Sequence, residues 1–431
     1  MITSAPESLG VELAQVVGDP HVVQVHVPST YTGEIPALRI TPGSAAEVAE
    51  VIRRSAMRGA TIYPIGSGAR AAIPSGAISR PVVVVSTARL THILQLDDKS
   101  LVVHAQAGLT GRELERGLAP RGLSLGDYPP DLLASSLGGI ASVRTPGKAS
   151  VRHGSFEEAI VGVSAVLADG RSVHTRICPR RSTGPDLMHA LCGSEGAIGL
   201  ITSVVLRIHK KPESRLVASY RLPSIDAAVN ASYLALREEA SPSGLRIYDA
   251  AEAARHFDGL DLPPGHALLC AATAGPTDLA VCDRDLISSA VIAEGGQAAD
   301  GALADVWWRR LHADEPTPGP RPTLEVMGTP SRLAAVYHAV IAECAKHRTG
   351  VSAHISRFGA DGAVLFFTIG PVAHSSEASG DITAFAERAA EAAGGWLIGA
   401  RPTKLDSYFQ SLKDALDPHH VLWAGAPPFG S

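Results

Sequence analysis

Two segments in the second half of the chain carry side chains that could bind an anion and move a proton. In the segment 243–249, the alternation of a β-strand would place Arg246 and Tyr248 together on one face. A guanidinium on such a face could hold a carboxylate or a phosphate through paired N–H donors. The segment 351–356 would likewise present His354, whose imidazole titrates near neutral pH and can act as a general base. The alternatives are an arginine at the protein surface and a histidine with a purely structural role.

Two glycine-rich segments in the first half could bring the backbone close to a large ligand. The segment 193–199 has a glycine at every third position and leads into the apolar strand 200–208. The segment 63–71 contains Gly-x-Gly-x-x-Ala, but the proline and glycine that follow it would break the helix that a Rossmann turn requires. The 63–71 loop could instead cradle a pyrophosphate through successive backbone N–H groups.

The order of these loops along the chain resembles the PCMH-type FAD-binding domain of the vanillyl-alcohol-oxidase superfamily. The matching segments, each unspecific by itself, are 39–52, 66–70, 102–122, 135–139, 152–154, 166–170 and 193–202. Within the superfamily, the chain is most similar to the alkylglycerone-phosphate synthases and to flavoproteins related to D-lactate dehydrogenase. The doublet Pro179-Arg180 and the pair Leu245-Arg246 carry the similarity to the synthases.

The resemblance implies FAD as the cofactor and assigns residues to its site. The pyrophosphate and adenine side falls on Pro64, Ile65, Gly66, Ser67, Gly68, Ala69 and Arg70. The isoalloxazine side falls on Pro130, Asp131, Ser135, Ser136, Gly138, Gly139, Val143, Arg144, Thr145 and Pro146. The loop that closes the pocket consists of Glu195, Gly196, Ala197, Ile198, Gly199, Leu200 and Ile201. Arg70 is either a further contact to FAD or a solvated side chain.

Noncovalent FAD is favoured, because the attachment residues of the covalent members are missing. Ala69 stands where many members carry a histidine that binds the flavin, and no cysteine lies between residues 128 and 153. Some members attach the flavin to a histidine of the cap domain, so His354 remains an alternative attachment point. No metal site is expected, since the five cysteines show no ligand spacing and are interpreted as buried thiols.

The composition indicates a cytoplasmic enzyme that acts on a small molecule. A length of 431 residues is long for one domain and suggests two. The net charge of −5 and the lack of a basic cluster argue against nucleic acid as a partner. The first residues do not have the basic and apolar regions of a signal peptide, and no transmembrane segment is expected. A homodimer is left open.

These features predict an α+β protein in four segments. They are a lead-in at 1–36, a two-subdomain PCMH-type FAD-binding domain at 37–213, a substrate (cap) domain at 214–395, and a tail at 396–431 that packs back on the FAD domain. Strands of the cap are predicted at 215–221, 245–248, 266–272, 323–327, 351–356 and 363–369, and helices at 227–239, 277–294 and 331–347. This rhythm predicts an α/β cap domain in which helices back an antiparallel sheet.

The predicted activity is that of an FAD-dependent oxidoreductase, either a dehydrogenase or an oxidase. A small molecule that bears a hydroxyl or an amine would pass hydride to flavin N5 while His354 or Tyr248 takes the proton and Arg246 holds the substrate. The alternative is a non-redox transferase of the alkylglycerone-phosphate synthase type. Against it, Phe366 stands where those synthases have an essential tyrosine, and the segment 397–401 lacks their histidines. A third alternative is a protein that binds FAD without catalysis.

Overall fold

Three sheets organise the chain in the computed structural model. The described residues are 5–29, 33–66, 80–126, 128–143, 151–175, 177, 186–312, 324–370, 379–398 and 405–423. Within these ranges, no helix is long and apolar enough to span a bilayer.

The first sheet is mixed and has two helices packed on it. Its strands are β1 (Val22–Ser29), β2 (Gly33–Ile40), β3 (Thr61–Ile65) and β4 (Val82–Ser86), and its helices are α1 (Ala5–Val17) and α2 (Ala45–Met57). The strand order is β1-β2-β4-β3, with β2, β4 and β3 parallel and β1 antiparallel to β2. Leu13 and Val51 from the two helices are fully buried in its core. Helix α2 begins after Ser44, whose hydroxyl accepts a hydrogen bond from the N–H of Glu47.

The second sheet is antiparallel throughout. Its strands and an accompanying two-stranded pair are β5 (Ile93–Asp97), β6 (Val102–Gln106), β7 (Leu123–Ser124), β8 (Ile160–Val166), β9 (Ser172–His174), β10 (Leu200–Arg207) and β11 (His209–Lys210). The helices of this part are α3 (Gly111–Leu118), α4 (Pro130–Leu133), α5 (Leu137–Val143), α6 (Phe156–Ala159) and α7 (Leu187–Leu191). The sheet order is β5-β6-β10-β8-β9, and β7 pairs with β11. Leu137 and Ile140 bury α5 against Val204 of β10, which holds that helix in place beside the glycine loop.

The third sheet has eight strands and helices on both faces. Its strands are β12 (Ser214–Leu222), β13 (Gly244–Asp249), β14 (Ala267–Gly275), β15 (Gln297–Ala298), β16 (Leu324–Gly328), β17 (Val351–Gly359), β18 (Gly362–Ile369) and β19 (Trp396–Leu397). The helices are α8 (Ile225–Arg237), α9 (Ala250–His256), α10 (Thr277–Ala293), α11 (Gly301–Leu311), α12 (Leu333–Lys346) and α13 (Ser379–Ala392). The order is β15-β12-β14-β13-β17-β18-β16-β19, antiparallel at every pair.

The two faces of the third sheet carry different cores. Leu245 and Ile247 of β13 pack with residues of α8, α10, α12 and α13. Tyr248 points to the opposite face and packs with Phe257, after α9, and with Trp307 of α11. The alternation predicted for β13 is therefore confirmed. Helices α9 and α11 cover only part of the face that carries Tyr248, and the rest of that face can hold polar side chains.

All strands and helices predicted between residues 214 and 395 are present, with ends shifted by a few residues. The sequence patterns did not show α9, α11 or α13. Helix α9 begins directly at the end of β13, where Asp249 accepts a hydrogen bond from the N–H of Glu252. The tail forms α14 (Leu405–Leu416), which ends before Asp417 as predicted. The thiols of Cys192, Cys270 and Cys344 are buried, and Cys178 lies outside the described residues. The expectation is wrong for Cys282, which is exposed on α10.

Candidate active site

A cleft lies where the end of β3, helix α5 and the start of β10 meet. It is lined by Pro64, Ile65, Gly66, Thr87, Gly138, Gly139, Ser142, Glu195, Gly196, Gly199, Leu200 and Ile201. All of these except Thr87 and Ser142 are among the residues that the resemblance assigned to FAD. Thr87 was not among the assigned residues; it follows β4, and its N–H donates to the carbonyl of Ile65 at the same end of the parallel neighbour β3.

The other assigned residues have different places. Pro130 and Asp131 begin α4, Ser135 and Ser136 connect it to α5, Val143 ends α5, and Ala197 and Ile198 are buried in the loop before β10. Ser67, Gly68, Ala69, Arg70, Arg144, Thr145 and Pro146 lie outside the described residues.

The base of the cleft is closely packed, and two of its glycines have no room for a Cβ. A Cβ on Gly66 would lie 2.1 Å from Oγ of Ser136, and a Cβ on Gly138 would lie 2.7 Å from Cβ of Ala107. Around Gly139 the described atoms leave more space, with Oγ of Ser136 at 2.9 Å as the one close neighbour of such a Cβ. Packing within the protein therefore requires glycine at Gly66 and Gly138, and the bare backbone there can come close to a ligand.

Two hydroxyl groups at this cleft are buried without a protein partner. Oγ of Ser136 and Oγ1 of Thr87 form no hydrogen bond with any residue that the structure describes. Buried polar atoms are normally paired, so these hydroxyls are available as hydrogen-bonding partners for a bound ligand or a water molecule. A glycine cradle with unpaired hydroxyls fits a flavin dinucleotide, and the residues present are compatible with FAD.

The loop 193–199 closes the cleft through its backbone. The N–H of Glu195 donates to the carbonyl of Ser142 at 2.9 Å, which ties the loop to α5. Glu195 and Gly196 have φ angles of 51° and 85°, in the left-handed region. A residue other than glycine adopts this conformation only where its surroundings impose it.

A buried lysine attaches the tail to this same loop. Nζ of Lys413 on α14 donates to the carbonyl of Ala197 at 2.6 Å and to the carbonyl of Leu422 at 2.6 Å, and it pairs with the carboxylate of Asp417. Asp417 in turn accepts hydrogen bonds of 2.8 Å from the N–H groups of Val421 and Leu422. Burial lowers the pKa of Lys413 from its ordinary value, and the contact with Asp417 opposes that shift.

The three residues predicted for catalysis meet on the Tyr248 side of the third sheet, opposite Leu245 and Ile247, which is the polar face of that sheet. Tyr248 of β13 stands opposite His354 of β17 in the strand register. Nη1 of Arg246 donates to Oη of Tyr248 at 3.3 Å. His354 stacks on the ring of Phe366 of β18, with centroids 4.7 Å apart and planes 7° from parallel. The structure thus brings together side chains from three adjacent strands.

A buried carboxylate from α9 supports this cluster. Glu252 is 3 % exposed, and its Oε1 lies 3.5 Å from Nδ1 of His354, within ion-pair distance but long for a hydrogen bond. The same carboxylate accepts from His256 at 3.0 Å and from Arg255 at 2.9 Å, and it is hydrogen-bonded to the hydroxyl of Ser352. Glu252 was missed by sequence reasoning because α9 itself was missed.

Burial sets the protonation states of the cluster. It lowers the pKa of His354 to about 4, which Glu252 opposes and Arg246 reinforces, so the imidazole is neutral near pH 7. It raises the pKa of Tyr248 to about 12, so the phenol keeps its proton. The pKa of Glu252 is lowered, because contacts from His256, His354 and Ser352 outweigh the effect of its burial.

A second arginine shares this face and did not appear among the predicted residues. The guanidinium carbon of Arg357 on β17 lies 4.8 Å from the centroid of the Phe366 ring, and its Nη1 is 3.6 Å from Oε2 of Glu325. The polar face therefore carries two guanidiniums, a neutral imidazole and a protonated phenol. Such a set can bind an anionic molecule and accept a proton from it.

The chain matches two family models that follow one another along it. One is described as the FAD binding domain and matches residues 36–176, and the other as the C-terminal domain of FAD linked oxidases and matches residues 211–400. An uncharacterised FAD-linked oxidoreductase of Escherichia coli K12, YgcU, is 29 % identical over 286 residues, which are 65 % of this chain and 58 % of that protein. The alkyldihydroxyacetonephosphate synthase of Caenorhabditis elegans is 30 % identical over 218 residues, 50 % of this chain and 36 % of that one.

The chain therefore spans less than two thirds of the length of these curated relatives. A solved structure of an alkyldihydroxyacetonephosphate synthase superposes with a TM-score of 0.75 at 20 % identity, covering 96 % of this chain and 84 % of that one. At 20 % identity this superposition shows only a shared fold. The evidence for common ancestry comes from the two family models and the sequence relatives. The chain belongs to the vanillyl-alcohol-oxidase superfamily, since it matches the FAD binding domain followed by the C-terminal domain of the FAD linked oxidases.

Proposed function

We propose that the protein is an FAD-dependent oxidoreductase that oxidises a carbon bearing a hydroxyl or amine group in a small molecule. The observation that carries the proposal is the buried, neutral imidazole of His354 beside the guanidinium of Arg246 on one sheet face. When bound in the glycine cleft, FAD supplies a two-electron acceptor for hydride at N5.

The residues of the polar face divide the remaining work. Arg246 would hold an anionic group of the substrate and so fix the position of the reacting carbon. His354 would accept the hydroxyl or amine proton at Nε2, since its Nδ1 faces Glu252. Of the two candidate bases, His354 is supported over Tyr248, because a phenol whose pKa is raised to about 12 holds its proton at neutral pH. Tyr248 would instead orient Arg246 through their hydrogen bond.

The proposal is tested by anaerobic mixing of the purified holoprotein with hydroxy acids, amines and sugars. A true substrate is expected to bleach the absorbance of oxidised flavin. The variant His354→Asn should keep FAD and slow bleaching by about 100-fold or more, the usual worth of a general base. The control His338→Asn alters an exposed histidine paired with Asp226 and should bleach at the original rate. Equal rates in both variants would remove His354 from the mechanism.

A second candidate function is a transferase without net redox change. It is supported by the similarity to alkyldihydroxyacetonephosphate synthases in sequence and fold. The residue Phe366 weighs against it, because a phenylalanine cannot exchange a proton at the place where the resemblance expects a tyrosine. The same anaerobic experiment separates the two: an acyl-glycerone phosphate with a long-chain alcohol would yield product while the flavin ends oxidised.

A further inference from the structure

Arg357 lies on the polar face of the third sheet although strand alternation would place it on the other. In β17, Ala353 and Ile355 point toward the helices, so a regular strand would send residue 357 the same way. The register between β17 and β18 shifts after Ser356, and Arg357 has a φ of 55°. A bulge with one left-handed residue puts two consecutive side chains out of phase. Phe358 then returns to the helix-side core.

The bulge places the guanidinium of Arg357 where the described residues balance its positive charge only weakly. The side chain of Arg357 is 13 % exposed, and its Nε and Nη1 form no hydrogen bond with a described residue. Glu325 is 3.6 Å from Nη1, but that carboxylate is itself 36 % exposed. Arg246 is near enough that its charge adds to the effect of burial in lowering the pKa of Arg357.

Two costs therefore meet at one residue. A left-handed conformation is strained in a residue other than glycine. A buried cation whose N–H groups lack acceptors adds a desolvation penalty. The ring of Phe366 contacts both this guanidinium and the imidazole of His354, which keeps Arg357 next to the proposed proton acceptor. An anion between the two arginines would supply the missing acceptors.

We propose that Arg357 and Arg246 together form the subsite for the anionic group of the substrate, a carboxylate or a phosphate, with Arg357 as a specificity-determining residue. That this anion belongs to the substrate rests on the proposed function. Two guanidiniums can offer paired N–H donors from two directions, which a single arginine cannot. In this arrangement the ring of Phe366 supports the guanidinium of Arg357, a role that needs an aromatic face and no exchangeable proton.

The subsite is tested by anion binding, without turnover. The holoprotein is titrated at constant ionic strength with inorganic phosphate and, separately, with oxalate, by calorimetry and by the flavin difference spectrum. The native protein is expected to bind one of the two, and the preferred anion identifies the group as phosphate or carboxylate. Arg357→Gln should weaken that binding about tenfold or more, with FAD content unchanged, while Arg357→Lys should recover part of it.

Two further variants separate the proposal from a folding defect. Glu325→Gln removes the carboxylate that competes for Arg357 and should tighten anion binding, a gain that misfolding cannot produce. Arg348→Gln alters an exposed arginine that also has a left-handed φ, 52°, and should bind anions as the native protein does. Absence of anion binding in the native protein, or equal binding in Arg357→Gln, overturns the subsite. A different result is that no tested compound bleaches the flavin while anion binding still depends on Arg357. The subsite would then stand, and the proposal of an oxidoreductase would be overturned.

Discussion

Replacement of Lys413 by methionine is expected to destabilise the tail and to weaken FAD binding at the same time. Methionine keeps the apolar stem but removes the ammonium, so the carbonyls of Ala197 and Leu422 lose a donor at 2.6 Å each. The carboxylate of Asp417, only 1 % exposed, keeps its two backbone N–H donors and loses its cation. Removal of one partner from a buried ion pair costs about 3–5 kcal/mol.

An exposed lysine provides the matched comparison. Lys346 also pairs with a carboxylate close to it in the chain, that of Glu343, but its side chain is 69 % exposed. A surface pair of this kind contributes about 1 kcal/mol at most. Lys346→Met should therefore leave the thermal midpoint and the FAD content nearly unchanged, although it removes the same charge from the same residue type.

The measurement is the dissociation constant of FAD, from fluorescence recovery on dilution, together with the thermal midpoint of each holoprotein. The double variant Lys413→Met/Asp417→Asn removes both charges and should lose less than the sum of the single losses, since no buried charge remains unpaired. If Lys413→Met lowered the midpoint but retained FAD with the original affinity, the hydrogen bond from Lys413 to the carbonyl of Ala197 would not be needed for the shape of the cleft. If it matched Lys346→Met in both quantities, the reasoning from burial would be refuted.

Four further outcomes are expected. Gly139→Leu should abolish FAD binding, because its side chain enters the open cleft, whereas Gly301→Leu has no neighbour within 4 Å and should retain FAD; a yellow Gly139→Leu protein would contradict the site. Heat or acid should release intact FAD from the denatured chain, and colour that stays with the polypeptide would show a covalent link. Arg246→Ala should keep FAD and lower kcat/KM about ten- to a hundredfold, the worth of one charge-assisted contact, and unchanged turnover would argue against an anchor. Flavin reduction should fall on acidification only near pH 4, where the buried His354 titrates, and Glu252→Gln should move this limb lower still, since the carboxylate favours the imidazolium; a limb near pH 6.5 would contradict the burial argument.

The sheets of the second half could be predicted because periodicity reports directly on burial. The alternation in β13 placed Arg246 and Tyr248 on one face, and the alternation in β17 placed His354 on a face of its own strand; the strand pairing of the structure brings the two faces together. Helix α9 could not be predicted in the same way, because no turn residue separates it from β13 and Asp249 serves as both the last strand residue and the cap. The sequence pattern therefore could not predict that Glu252 lies beside His354.

The position of Arg357 shows a different limit. Its face depends on a one-residue shift of register, and the bulge that causes it has no glycine at the left-handed position. In the first half, the glycine loops were found because close approach of backbone restricts the residue type to one. Thr87 and Ser142 line the same cleft, but many residue types fit such positions, and the sequence alone does not distinguish them.

The tail also completes the first sheet. Strand β3 is the last strand of that sheet, and the N–H of Ile62 donates to the carbonyl of Val421 at 2.7 Å, while the N–H of Trp423 donates to the carbonyl of Ile62 at 3.0 Å. These bonds occupy backbone groups that would otherwise offer a template to a strand from another molecule. A protein whose tail is released would expose an apolar sheet edge at once, and its molecules would associate edge to edge. The attachment of the tail is therefore a protection against aggregation, and losses of yield in tail variants should grow with protein concentration.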